Sequence, residues 1–347
     1  MIRNSRTLNQ TTGVIGVKAN MSTQHAIKKH AFGTTGMQVG AVGFGAAEIG
    51  FERATDQTVD ALLGAALEMG INVIDTAAMY AASEEKIGRA LRGRCNQVLL
   101  FTKCGLCLPP RLSLTGFLLR SHRKLRRSIG LADQYQSLDW HPRALEWNIE
   151  QSLRRLKTDC IDLIQLHSCS EETLRQGEVI EVLHRARKAG KARHVGYSSD
   201  GEAALYAIQC GQFEGVQISI NIADQKLLDL AVPLAIEHGI GVIAKRPIAN
   251  GLWRTNHRPD FIHHQAYWDR LQKLQYDFLQ GESAFETALR FTLSVPGVHT
   301  AIVGTTNPAH VLQNAKYAAT GFLNQEEFEM IRARWKQIAA PNCTEQE

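Results

Sequence analysis

The sequence predicts a (β/α)8 (TIM) barrel, and three observations carry that expectation. Eight short apolar runs rich in β-formers recur along the chain, and stretches with apolar residues at three- and four-residue spacing lie between them. The runs are almost continuously apolar, as strands buried on both faces of a parallel sheet must be. Eight such units close into a barrel of about 250 residues, which a chain of 347 residues accommodates with extensions to spare. The expected organisation is a basic flexible tail over residues 1–29, one barrel domain over 30–340 and a short tail over 341–347. A doubly wound nucleotide-binding sheet is the alternative. Against it, Gly43, Gly45 and Gly50 do not match G-x-G-x-x-G, and no Tyr-x-x-x-Lys pair occurs.

In chain order, His30 to Val39 reads as a hairpin around Gly33-Thr34-Thr35-Gly36, because glycines supply the positive φ of a tight turn. It is expected to cap the bottom of the barrel. The barrel strands follow as AVGFGA, INVIDTA, QVLLFTK, IDLIQLH, ARHVGYSS, GVQISIN, GVIAKRP and TAIVGT. Helical patterns fall at 60–68, 144–156, 179–189, 227–238 and 285–293. Two connections are longer than turns. Residues 104–140, after the third strand, carry Arg111, Arg120, Arg123, Lys124, Arg126 and Arg127 against Asp133 and Asp139, with a stripe of Leu114, Leu118, Leu125 and Ile129. This suggests a basic amphipathic lid, with an anionic membrane or acidic partner as the alternative. Residues 251–281, after the seventh strand, hold Trp253, Phe261, Tyr267, Trp268 and Tyr276, which either line a pocket or cover the barrel.

Composition excludes more than it identifies. Hydrophobic residues make up 44% and charged residues 21%, and no apolar stretch approaches the length of a membrane span. The net charge of +5 resides in residues 1–30, which hold Arg3, Arg6, Lys18, Lys28 and Lys29 and no acid. The remainder balances 34 basic against 34 acidic residues, which removes the case for nucleic-acid binding. The tail is also rich in Ser, Thr and Asn, as transit sequences are, and Met21 offers a second start. Seven cysteines in a chain with no secretory signal point to reduced thiols and a cytoplasmic protein. Cys104 and Cys107 form a C-x-x-C close to Lys103, but a zinc site would show a second pair at defined spacing, so no metal is expected.

The chemistry gathers at the ends of three successive strand runs: Asp75 and Tyr80 in IDTAAMY, Lys103 in VLLFTK and His167 in IDLIQLH. Active sites of parallel α/β folds collect at the carboxyl ends of strands, so these four residues can converge. Each alone reads as a cap, a packing aromatic, a solvated strand end or a core histidine. Their joint occurrence points to catalysis.

From His30 to about Ala339 the chain resembles the aldo-keto reductases. The resemblance rests on FGTTGMQV, GINVIDTAAMYAASEEKIGRAL, VLLFTKCG, IEQSLRRLKTDCIDLIQLH, GKARHVGYSS and IVGTTNPAHVLQN, in that order. It implies an enzyme that reduces an aldehyde or ketone to an alcohol by hydride transfer from NADP, with NAD or dual use open. Tyr80 would be the proton donor, Lys103 the ammonium beside it, Asp75 the partner holding that charge, and His167 the group orienting the carbonyl. The family's carboxamide contacts fall on Ser198, Ser199 and Gln217. Lys245 stands where many members stack a tyrosine, and Arg246 and Asn250 fall where the pyrophosphate is bound. Adenosine positions fall on Gly304, Thr305, Thr306, His310, Gln313 and Asn314, with Gly304 and His310 where a cation pair is common. Expected partners are a small carbonyl or alcohol substrate and, at most, a small homo-oligomer. A cofactor-sensing regulatory subunit on the same barrel is the alternative function.

Overall fold

The computed structural model describes residues 27–107, 137–138 and 140–338. A hairpin of β1 (Lys29–Ala31) and β2 (Gln38–Gly40) precedes the barrel strands β3 (Val42–Gly45), β4 (Val73–Asp75) and β5 (Leu99–Cys104). A small ribbon follows, β6 (Leu106–Cys107) against β7 (Ser137–Leu138). The barrel continues with β8 (Ile161–His167), β9 (Ala192–Ser198), β10 (Gly215–Ser219), β11 (Gly241–Lys245) and β12 (Val298–Gly304). β12 pairs with β3 and every barrel neighbour is parallel, so the eight strands close without an edge. The expected barrel and hairpin are both present.

The helices begin where caps dictate. Thr55 accepts from the Thr58 amide and starts helix Asp56–Glu68. Pro142 follows the His141 cap and opens Pro142–Leu156, and Asn307 caps Pro308–Ala319. Cap signals therefore extend helices a few residues ahead of the apolar periodicity. The loop expected over 251–281 is largely helical, with Ile262–Leu274 at its centre. Buried Leu271, Leu274 and Tyr276 pack there with Phe291 and Trp335 in a second apolar cluster. The Tyr276 hydroxyl donates to the Ile222 carbonyl, and Trp268 donates to that of Thr255. Trp268 and Tyr276 cover the barrel, whereas the Tyr267 ring lies 5.9 Å from the Arg246 guanidinium at the barrel mouth. The basic stretch expected to form a lid lies mostly outside the described residues.

The hairpin closes the barrel floor, as expected. Thr34 donates its amide to Gly239 O at 2.9 Å, just before β11. Phe32 is fully buried with Phe101, Leu163, Ile243 and Ile302. Its ring lies against Gly241 and Gly215, and a Cβ at Gly241 would overlap it. Two glycines at strand starts thus make room for one aromatic plug. No helix among the described residues is long and apolar enough to cross a membrane.

Candidate active site

Side chains alternate along a strand, so the residues two positions above the apolar floor face the same lumen nearer the carboxyl end. Above Val73 and Phe101 stand Asp75 and Lys103, above Leu163 come Gln165 and His167, and above Ile243 and Ile302 come Lys245 and Gly304. A change from apolar to polar at one step along each strand builds a polar layer over an apolar base. Strand pairing places Lys103 beside Gln165, His167 beside Ser198, and Ser198 beside Gln217.

Lys103 and Asp75 are almost fully buried and form an ion pair at 2.6 Å. The same ammonium donates to Thr76 O at 3.0 Å, and Gln217 Nε2 donates to Asp75 Oδ2 at 3.3 Å. Lys103 Nζ lies 5.2 Å from the centre of the Tyr80 ring. The His167 ring meets that of Tyr80 edge-on, with centroids 5.9 Å apart. All four residues expected to act together are therefore in one cluster. Gly50 fixes the Tyr80 loop from below, because a Cβ there would overlap the Tyr80 carbonyl oxygen. Phe51 packs edge-on against Tyr80 from the same short helix, Ala47–Phe51.

The electrostatics divide the roles. Burial pushes the Tyr80 phenol above the usual tyrosine range, against the opposing pull of the Lys103 ammonium. The expected effect of Lys103 is present but does not win. Burial disfavours the Lys103 charge, yet Asp75 and Tyr80 together raise its pKa, so it stays protonated. His167 is held well below the ordinary histidine range by burial and by Lys103, Lys245 and Arg246, so its ring is neutral near pH 7. Cys104 and Cys169 are kept as thiols by burial, the latter pushed up to about 12. Among the described residues no cluster of three metal-ligating side chains occurs.

The expected cofactor positions fall into two groups. At the barrel mouth, Ser198 and Gln217 are buried and Ser199 is half-buried. Lys245 pairs with Asp200 at 2.9 Å, and Arg246 donates to Ser219 Oγ at 3.2 Å. Burial lowers the Lys245 pKa, with Arg246 adding to the effect and Asp200 opposing it. Arg246, Ala249 and Asn250 all adopt positive φ, strain of a kind that collects at ligand sites. At the outer end, Thr305 Oγ1 lies 3.1 Å from His310 Nδ1, and Thr306 donates to Glu52 Oε2 at 2.8 Å. His310, Gln313 and Asn314 share one face of helix Pro308–Ala319 by their three- and four-residue spacing.

Asp200, Gln165, Glu48 and Glu52 were not among the expected site residues. Asp200 directly follows Ser198-Ser199, so the strand-end rule that found the others would have reached it. Glu48 belongs to a five-residue helix too short for periodicity to reveal, and Glu52 is the residue that ends it. Gln217 Oε1 at the mouth is a buried acceptor without a hydrogen-bond partner, which suits the amide N–H of a nicotinamide carboxamide, and His167 Nδ1 beside Tyr80 is likewise without one.

Comparison with known proteins places these features in a family. Residues 38–336 match the model of the Aldo/keto reductase family. The chain is 26% identical over 326 residues to the uncharacterized oxidoreductase YqkF of Bacillus subtilis, covering 90% of this chain and 97% of that protein. Among solved structures, the holo form of aldo-keto reductase AKR11C1 from Bacillus halodurans superposes with a TM-score of 0.72 at 25% identity, covering 89% of this chain and 96% of that one. An aldo/keto reductase from Klebsiella pneumoniae in complex with NADP and acetate shares the fold at a TM-score of 0.63 and 24% identity, covering 88% of this chain and 95% of that one.

Proposed function

The chain belongs to the aldo-keto reductase family, and on that premise we propose that it reduces an aldehyde or ketone to an alcohol with Tyr80 as proton donor. The observation that supports this reading is the buried Asp75–Lys103 pair set under Tyr80, with His167 at the other edge of that ring. The cofactor proposed is NADP, as in the Klebsiella structure, with NAD usable in the same site. Ser198, Ser199 and Gln217 would hold its carboxamide, and Arg246 and Asn250 its pyrophosphate. When bound, the reduced nicotinamide supplies a hydride to the carbonyl carbon.

This chain's own residues do the rest. The carbonyl oxygen sits between the Tyr80 hydroxyl and the neutral His167 ring, whose single N–H orients it and takes up part of the developing charge. The Tyr80 proton moves to that oxygen and completes the alcohol, leaving a phenolate. Lys103 stabilises the phenolate, and Asp75 and Thr76 keep the ammonium in place. Solvent returns the proton. In reverse, the phenolate accepts the alcohol proton, and the same ammonium offsets part of the burial that disfavours that state.

A panel of aldehydes, ketones and sugars, assayed with reduced and oxidised NAD and NADP, tests this reading. Turnover of at least one carbonyl class is the expected result. Tight nucleotide binding without turnover on any of them would favour a cofactor-sensing subunit instead.

A further inference from the structure

Two carboxylates flank the loop that leads from β12 into helix Pro308–Ala319. Gly45 of β3 pairs with Gly304 of β12, which sets helix Ala47–Phe51 beside that loop. Glu52 Oε2 accepts the Thr306 hydroxyl at 2.8 Å. Glu48 lies against Gly304, where a Cβ would overlap its carboxyl group, and its Oε2 is buried without a partner. The Glu48 carboxyl therefore occupies the space that a side chain at position 304 would need. No Lys or Arg occurs from residue 304 to residue 314. The His310 ring is turned onto Thr305 and Asn307.

This inference rests on the nicotinamide-cofactor reading above and concerns the adenosine end of the same site. NAD and NADP differ there by a phosphate carrying close to two negative charges. Beside Thr305 and Thr306 it would meet Glu52, which accepts from Thr306, instead of a cation. A ribose diol behaves oppositely, since it donates hydrogen bonds, and a carboxylate that accepts from Thr306 still has acceptor capacity left. We propose that Glu52, backed by Glu48, works against the 2′-phosphate, so that NADP(H) keeps no more than about a tenfold advantage over NAD(H) and both serve the site.

Calorimetric titration of the whole protein with NADH and with NADPH, for wild type, Glu52→Gln and Glu48→Gln, tests this. Glu52 is exposed, so its replacement does not endanger the fold. Coulomb's law for a carboxylate about 6 Å from a phosphate dianion in water corresponds to roughly a tenfold effect on affinity. Glu52→Gln is expected to tighten NADPH about tenfold while leaving NADH unchanged or weaker; Glu48→Gln acts in the same direction but less, because burial and the neighbouring Glu52 hold the Glu48 carboxyl above the usual carboxylate range. Wild-type binding of NADPH more than tenfold tighter than NADH, or an unchanged ratio in Glu52→Gln, would overturn the proposal. If neither dinucleotide bound, the cofactor reading itself would fall, and the proposal with it.

Discussion

Tyr80 is pulled in opposite directions, upward by burial and downward by the Lys103 ammonium, and burial prevails. Its proton is therefore held beyond the usual value of about 10, while His167 stays neutral throughout the physiological range. The kcat for carbonyl reduction is expected to stay flat from about pH 6 to 9 and to fall only where the phenol ionises. The alcohol-oxidation rate should climb over the same alkaline range. A pH profile that broke near 7 would mean that an imidazole titrates instead. His167 also leaves a mark on stability. Below its ordinary pKa of about 6.5 the unfolded chain binds a proton that the native ring refuses, so stability is lost as pH falls, by at most about 1.4 kcal/mol per unit. His167→Gln should remove that slope from urea midpoints measured between pH 5 and 7. The ion pair beneath is tested by Lys103→Met, which leaves Asp75 charged and buried. A loss of about 3–5 kcal/mol in urea unfolding is expected, and Asp75→Asn in the same chain should recover part of it.

At the scale of elements, the site depends on close backbone approaches that only glycine permits. Gly50 brings helix Ala47–Phe51 against the Tyr80 carbonyl. Gly50→Ala is expected to shift the Tyr80 loop by about an ångström and lower kcat by about a hundredfold, with a much smaller effect on the unfolding midpoint. Equal losses in both would make Gly50 a packing residue alone. At the other end of the barrel, Gly241→Ala overpacks Phe32 and should cost about 1–3 kcal/mol, read by urea unfolding with turnover largely preserved. The barrel strands and the hairpin were legible in the sequence because burial on both faces writes itself as continuous apolar runs. So were Asp75, Lys103 and His167, since a polar residue ending such a run has few structural reasons to be there. Helix Ala47–Phe51 was not legible, because five residues span little more than one turn. Helix Ile262–Leu274 was hidden by its mixed composition, which read as an aromatic loop. That Tyr80 titrates above its ordinary range also could not be read, since it depends on how much water the fold removes.

For the molecule as a whole, the polar mouth, the strained turn around Arg246 and the outer loop at Thr305 and Thr306 lie along one path from the barrel centre to its rim. A dinucleotide bound along it should stabilise the fold, by about 2.7 kcal/mol at roughly a hundred times its Kd. That gain is measurable as a rise in Tm. The net charge adds nothing to this, because residues 1–30 carry all of the excess. On the proposed reading, one phenol held between an ammonium and an imidazole delivers the proton. The most direct test is steady-state carbonyl reduction by Tyr80→Phe, with dinucleotide affinity measured on the same preparation. Turnover is expected to drop by at least about a hundredfold with cofactor Kd unchanged; near-normal reduction by that variant would contradict the assignment.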